Sequence, residues 1–414
     1  MNNLQSIARK ITAILFAQQS LASAGFIAAA TLNSIVGAKL ASSASFAGVP
    51  TATYLLAGAL AAFGWGYVND ALGRRIGLTM GLSIGVIGSG VAFFAISKES
   101  FGIFLIGMIL MGIANAAVQL GRFAAAEVNP PAQRGRAISN VVIGGTIGSV
   151  VGPFVAGPAG KFFLPLAGDE LAGAYAVSFA LFAIGALVVF IGLRPDPRDV
   201  GRQVAEQFPQ TVNASGPARG VFEIFRQPAA LVALLAMVLG QMVMVLIMVI
   251  TSLHMRRNNH ALGDISLVIS AHTFGMYAFS ILSGQLADRW GRGPVIIAGS
   301  GTLILASLAA TLSPDVLPMG VALFLLGLGW NFCYVGGSTL LADQLSPAER
   351  ARTQGFNDLL VGLASAIGSL SSGFIFAALG YAVMAYVSAA VAVLPFIAAS
   401  FWTRRRARLS EAAS

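Results

Sequence analysis

The three histidines of the chain lie close together among methionines. All of them fall within nineteen consecutive residues, and six of the twelve methionines occupy the same neighbourhood. Thioether and imidazole groups favour copper, above all Cu(I), over the hard cations that prefer carboxylates. The cluster therefore indicates soft-metal chemistry. Its members are His254, His260, His272, Met237, Met242, Met244, Met248, Met255 and Met276.

Two pairs within this cluster have a helical spacing. Met244 and Met248 are four residues apart, as are His272 and Met276, so each pair shares one face of a helix. Methionines on an apolar helix usually serve packing, whereas a histidine inside a membrane span normally faces a cavity or a polar partner. We predict that these four side chains bind copper, with packing in an apolar core as the alternative.

Four further residues could assist such a site. Met237 lies seven residues before Met244 and so shares the helix face of Met244 and Met248. The other three lie at or beyond the end of the same apolar segment, where they could capture copper. An ordinary solvated loop is the alternative, because two neighbouring arginines would repel a cation. The accessory candidates are Met237, His254, Met255 and His260, and the arginines are Arg256 and Arg257.

The elements that must position these residues are membrane-spanning helices. The 414 residues are 57% hydrophobic and 10% charged, with a mean hydropathy of +0.81, which is too apolar for a soluble protein of this length. Because each span needs about 20 mostly apolar residues, we predict an all-α membrane protein with twelve transmembrane helices. They cover 11–37, 46–69, 76–97, 101–126, 137–163, 171–193, 229–253, 264–287, 294–313, 317–342, 353–379 and 381–403.

The distribution of basic residues predicts the orientation of the chain. With both termini in the cytoplasm, 20 of the 25 lysines and arginines fall on cytoplasmic segments, as expected for short loops of membrane proteins. The net charge of +9 is thereby explained as a topology signal, and we expect no nucleic-acid partner. The lipid bilayer is the expected surrounding.

The chain repeats itself at an offset of 216 to 218 residues. Segment 66–75 reads Gly-Tyr-Val-Asn-Asp-Ala-Leu-Gly-Arg-Arg, and segment 284–292 reads Gly-Gln-Leu-Ala-Asp-Arg-Trp-Gly-Arg. Asn115 and Glu127 likewise return as Asn331 and Asp343. The duplication predicts two six-helix halves at 1–193 and 229–403, a cytoplasmic linker at 194–228 and a cytoplasmic tail at 404–414.

Both repeated loops resemble the hallmark motif of the major facilitator superfamily, Gly-x-x-x-Asp-Arg-x-Gly-Arg. The first copy departs from it at Ala71, where arginine is usual. The resemblance covers nearly the whole chain and implies a transporter that works by alternating access, with these loops as parts of its inward gate. The implied gate residues are Asp70, Gly73, Arg74, Asp288, Arg289 and Arg292.

A closer resemblance concerns spans seven and eight. The CcoA-like branch of the superfamily carries Met-x-x-x-Met in span seven and His-x-x-x-Met in span eight, and the two pairs of this chain match those motifs. The resemblance implies a monomeric copper importer of the bacterial inner membrane that supplies cytochrome oxidase assembly. Copper would then be the transported substrate, with no resident cofactor, and membrane or cytoplasmic copper acceptors would be partners.

Two other functions stay open at this stage. The chain could be a proton-coupled transporter of an organic solute, such as a drug exporter or a riboflavin carrier, with His272 as a proton or solute site. It could also be a copper sensor built on a transporter scaffold. Asp358 lies about six residues into span eleven and is a candidate for proton coupling. We find no enzyme motif in the sequence and expect no catalysis.

Overall fold

The computed structural model of the chain describes residues 2–208 and 219–411. The predicted linker and tail therefore lie partly outside the described residues, at 209–218 and 412–414. Within the two described ranges every regular element is helical. This agrees with the predicted all-α fold, because a chain buried in lipid must satisfy its backbone hydrogen bonds within each span.

Eight α-helices precede the undescribed segment 209–218. They are α1 (Asn2–Leu40), α2 (Val49–Leu72), α3 (Arg74–Ser97), α4 (Phe101–Gln119), α5 (Gly121–Glu127), α6 (Arg134–Ala167), α7 (Ala172–Gly192) and α8 (Pro197–Gln207). Seven follow it, namely α9 (Val221–Phe225), α10 (Pro228–Arg257), α11 (Leu262–Tyr277), α12 (Ser280–Arg289), α13 (Arg292–Ala309), α14 (Val316–Ala342) and α15 (Pro347–Glu411). Short 3₁₀ helices occupy Ala44–Phe46 and Pro131–Gln133.

Eleven helical segments of the described ranges are long and apolar enough to cross a membrane. The last of them, Arg352–Arg406, contains Gly380 with a φ of 82°. That left-handed conformation interrupts the helix and suits glycine, so α15 holds two spans. The prediction of twelve transmembrane helices is thereby confirmed.

The chain forms two compact units. The N-terminal unit comprises Met1–Ser43, Val49–Val212 and Ala261–Ser266, and the C-terminal unit comprises Ala44–Gly48, Asn213–His260 and Leu267–Ser414. In the N-terminal unit, α6 packs closely on α1 through small residues spaced by four. A Cβ atom on Gly148 would lie 2.0 Å from the carbonyl oxygen of Ser20, so only glycine allows this approach.

In the C-terminal unit, α14 packs against both α10 and α11. A Cβ atom on Gly327 would lie 2.2 Å from the carbonyl oxygen of His272 in α11, and one on Gly337 would lie 2.8 Å from the side chain of Met237 in α10. Helices α10 and α11 therefore share α14 as a neighbour. This arrangement places the predicted metal-binding pairs on two helices that flank the same span.

Candidate functional site

The eighth span is broken near its middle. We predicted one continuous span at 264–287, but α11 ends at Tyr277 and α12 begins at Ser280. Asn331 of α14 donates a hydrogen bond from Nδ2 to the carbonyl oxygen of Met276 at 2.6 Å and another to Ser280 Oγ at 2.9 Å. Polar side chains thus replace the helical hydrogen bonds at the break. Irregular backbone at membrane depth is tolerated where it is buried in protein or lines a cavity.

Beside the break, three aromatic rings and one amide form a cluster. The rings of Trp330 and Tyr334 stack with centroids 5.0 Å apart and an interplanar angle of 19°. Tyr277 meets Trp330 edge-on at 6.2 Å and 77°. Trp330 Nε1 donates a hydrogen bond to Gln241 Oε1 of α10 at 2.6 Å. We call these four residues the aromatic–amide cluster.

The aromatic–amide cluster has the chemistry of a surface for a flat organic molecule. All four side chains are half-buried, so they are packed but keep accessible area. Stacked and edge-on rings offer both faces and edges to a planar ligand, and an amide supplies a hydrogen-bond donor as well as an acceptor. We did not predict the ring cluster from the sequence. Its signal was the spacing of four between Trp330 and Tyr334, which places both rings on one face of span ten.

His272 lies one turn before the break and is fully buried. Its Nδ1 is 2.9 Å from the carbonyl oxygen of Leu323 in α14. Because a carbonyl only accepts hydrogen bonds, Nδ1 carries the proton and Nε2 keeps its lone pair. Nε2 is buried and has no hydrogen-bond partner among the described residues. The ring is therefore oriented by the backbone and presents a free acceptor nitrogen.

The three predicted methionine ligands occupy different surroundings. Met244 and Met276 are buried, with exposed fractions of 6% and 8%, whereas Met248 is half-buried. The described polar contacts of His272 and Met276 go to α14, and none of them goes to Met244 or Met248. In the part of the chain that the structure describes, no three His, Cys, Asp or Glu residues form a metal-binding group. The four-ligand copper site stays a prediction.

The accessory candidates have other contacts. Met237 is buried in an apolar core, where its sulfur accepts a hydrogen bond from Asn357 at 3.7 Å. His254 stacks on Tyr381 with ring centroids 4.0 Å apart and an interplanar angle of 6°. Met255 is fully buried. All three residues thus pack against other parts of the protein, and their role as accessory copper ligands stays a prediction.

The remaining two candidates lie at surfaces. His260 is half-buried, and its backbone N–H donates a hydrogen bond to the carbonyl oxygen of Met255 at the end of α10. Asp358 is exposed, with Asn357 Nδ2 at 3.5 Å from its carboxylate. We had placed Asp358 inside the span as a proton-coupling group. It lies within the candidate span Arg352–Arg406, and its role in proton coupling stays a prediction.

The predicted gate residues form matching contacts in the two units. Gly73 and Gly291 both have a φ near 90°, at 90° and 91°, which explains the glycine of each motif. Arg74 contacts Asp70 at 2.7 Å and Glu127 at 2.6 Å. In the C-terminal unit the corresponding pairs are Arg292 with Asp288 at 3.0 Å and Arg292 with Asp343 at 3.0 Å, while Arg289 is exposed.

Comparison with known proteins gives a consistent family. Residues 14–258 and 232–414 each match the family model described as Major Facilitator Superfamily. The MFS-type transporter YdeG of Bacillus subtilis is 33% identical over 405 residues, which cover 97% of this chain and 94% of the relative. The likeness therefore extends over the full length of both proteins.

Two further matches bear on function and fold. The riboflavin transporter RfnT of Brucella anthropi is 28% identical over 354 residues, which cover 86% of each protein. The crystal structure of the nucleoside transporter NupG superimposes with a TM-score of 0.71 over 95% of this chain and 98% of that chain, at 17% identity. At that identity the likeness to NupG concerns the fold alone.

Proposed function

We propose that this chain, which belongs to the Major Facilitator Superfamily, transports an organic solute that contains a flat aromatic ring system. The observation that supports the proposal is the aromatic–amide cluster at the break of span eight. A planar solute would stack against Trp330 or Tyr334, and Gln241 would hydrogen-bond its polar edge. Base–aromatic stacking contributes roughly 1–3 kcal/mol per base in other proteins, which sets the expected scale.

The relatives support the same class of substrate. RfnT is named as a riboflavin transporter and matches most of this chain, and riboflavin carries a planar three-ring system. By contrast, none of the relatives described above is named for copper. We therefore place organic-solute transport ahead of the copper import that the methionine and histidine spacing favours.

A binding experiment tests the proposal. Equilibrium dialysis of the purified protein in detergent would use radiolabelled riboflavin first and then other planar heteroaromatic compounds. Trp330→Ala removes the central ring and is expected to weaken binding about tenfold or more. Trp330→Phe keeps a stacking ring and is expected to weaken binding less. Trp290→Phe, at a tryptophan that is 62% exposed, is the matched control. Equal binding by all four proteins would contradict the proposal.

Copper transport is the second candidate, and one observation favours it. The His272 ring is oriented by a backbone carbonyl through Nδ1 and leaves Nε2 free, which is the arrangement of many metal-ligating histidines. Met276 follows four residues later on the same helix. Uptake of mass-tagged copper by proteoliposomes would test this candidate. Loss of uptake in His272→Ala and Met276→Ala would support it, and an absence of uptake by the wild type would exclude it.

A further inference from the structure

A groove in the N-terminal unit has four arginines among its nine lining residues. Its volume is about 520 Å³, and its wall is built from α3, α5, α6 and α8. The residues that give it its chemistry are Arg74, Arg134, Arg198, Arg202, Glu127 and Phe123. The groove therefore has four cationic groups against one carboxylate.

The carboxylate of the groove is already engaged. Glu127 accepts hydrogen bonds from Arg74 Nη2 at 2.6 Å and from Arg74 Nε at 3.0 Å. This bidentate pairing uses the one acidic side chain of the wall. The other three arginines have no carboxylate partner within the groove lining, although Arg198 forms an ion pair with Asp199 beside it at 3.7 Å.

Two of these arginines keep buried donors that no protein group accepts. The Nε atoms of Arg134 and Arg198 are both buried and without a hydrogen-bond partner among the described residues. Arg198 uses Nη1 to bind the carbonyl oxygens of Asp70 and Ala71, at 2.9 and 3.3 Å, and its Nε lies 3.7 Å from Asp199, beyond hydrogen-bond distance. Buried unsatisfied donors are costly. The side chain of Arg198 is still 29% exposed, so an anionic ligand in the groove can approach its positive charge.

We propose that this groove binds the phosphate group of an anionic ligand. Guanidinium groups match phosphate oxygens in a bidentate geometry, and the clustering of several arginines is typical of phosphate sites. A phosphate offers more acceptor oxygens than a carboxylate and can engage several donors at once. The groove volume is ample for a phosphate with its attached alcohol.

A phospholipid headgroup is the source that the surroundings favour. Helix α8 is amphipathic, with Pro197, Val200 and Val204 buried, and it contributes Arg202 to the groove. Phe123, at the same groove, is 49% exposed. Basic pockets beside apolar surface at the ends of spans suit anionic lipids of the cytoplasmic leaflet. A soluble phosphate compound shares this chemistry and is separated from the lipid by experiment.

The test measures thermal unfolding of the full-length protein in detergent. The probes are phosphatidylglycerol, the uncharged galactosyl diacylglycerol and inorganic phosphate at constant ionic strength. The double variant with Arg134→Gln and Arg202→Gln is expected to raise the half-saturating concentration of the stabilising probe about 30-fold. The reason is that each arginine near an anionic group strengthens binding by roughly a factor of five. Lysine at both positions is expected to restore most of the response.

A matched control carries the same change of charge elsewhere. Arg404→Gln with Arg405→Gln alters two exposed tail arginines and is expected to raise the half-saturating concentration much less than the groove pair does, because the tail can attract an anionic probe only by its charge. If the Gln pair fails to fold, the single variant Arg202→Gln changes only an exposed side chain. It is expected to raise the half-saturating concentration of the probe about fivefold.

Stabilisation by phosphatidylglycerol alone assigns the groove to a lipid, and stabilisation by inorganic phosphate alone assigns it to a soluble ligand. Either result supports the proposal if it depends on Arg134 and Arg202. A wild type that responds to neither probe would overturn it. So would equal losses in the groove and tail variants.

Discussion

Arg74 and Arg292, which occupy equivalent positions in the two loop motifs, make unequal contacts with their acidic partners. Arg74 makes a bidentate contact with Glu127 through two nitrogens, at 2.6 and 3.0 Å. Arg292 makes one contact with Asp343 at 3.0 Å. The exposed fraction is 33% for the Glu127 side chain and 47% for that of Asp343. The first pair is thus both better formed and better shielded from water.

These differences set the expected energies. A hydrogen bond to a charged group contributes roughly 1.5–3 kcal/mol when shielded, and exposed pairs contribute about 0.2–1 kcal/mol. With partial exposure, we expect a coupling of about 1–2 kcal/mol between Arg74 and Glu127. For Arg292 and Asp343 we expect about 0.5 kcal/mol, within the range of exposed pairs.

A double-mutant cycle in each unit measures the two couplings. The first uses Arg74→Gln and Glu127→Gln, and the second uses Arg292→Gln and Asp343→Asn. Reversible unfolding of the purified protein in mixed micelles supplies the free energies. A coupling in the second pair equal to or larger than that in the first would refute this reasoning, because it would show that contact geometry does not set the strength of the pair.

Three further predictions concern stability in the C-terminal unit. Arg219 holds the pKa of Glu349 well below its ordinary value of about 4.5, so the ionised carboxylate stabilises the fold. We expect the protein to lose stability as the pH falls below about 4.5. Glu349→Gln should make this loss smaller, as measured by the thermal unfolding temperature at a series of pH values. Gly327→Val would place a Cβ atom 2.2 Å from a main-chain oxygen and should lower the free energy of unfolding by about 1–3 kcal/mol or more. Gly320→Ala is the control, because a Cβ atom there would be 4.0 Å from its nearest neighbour, and it should leave the thermal unfolding temperature unchanged. Tyr381→Phe removes a buried 2.9 Å hydrogen bond and should lower the free energy of unfolding by about 1 kcal/mol.

Much of the fold could be predicted because it depends on local properties. Long apolar segments and the repeated loop motif identify the spans and the duplication directly, and the two motif glycines have the left-handed φ that their positions require. The ion pairs of Arg74 and Arg292 follow from the same repeat, because the duplication places their acidic partners in register. Their role as gate residues stays a prediction.

The site was harder to predict because it depends on contacts between distant segments. The break after Tyr277 is held by Asn331, which lies 54 positions later in the chain. Hydropathy cannot distinguish a broken span from a continuous one. Likewise, the spacing of Met237 places it on the helix face of Met244 and Met248, but the spacing cannot show its contact with Asn357, 120 positions later in the chain.

Our proposed function is that this transporter moves a planar organic solute. Counterflow in proteoliposomes tests it most directly, with radiolabelled riboflavin and a panel of planar heteroaromatic compounds, and with copper in parallel. We expect accumulation of at least one aromatic solute, strong reduction by Trp330→Ala, and retention of activity in Trp330→Phe. Accumulation of copper alone, abolished by His272→Ala, would contradict it.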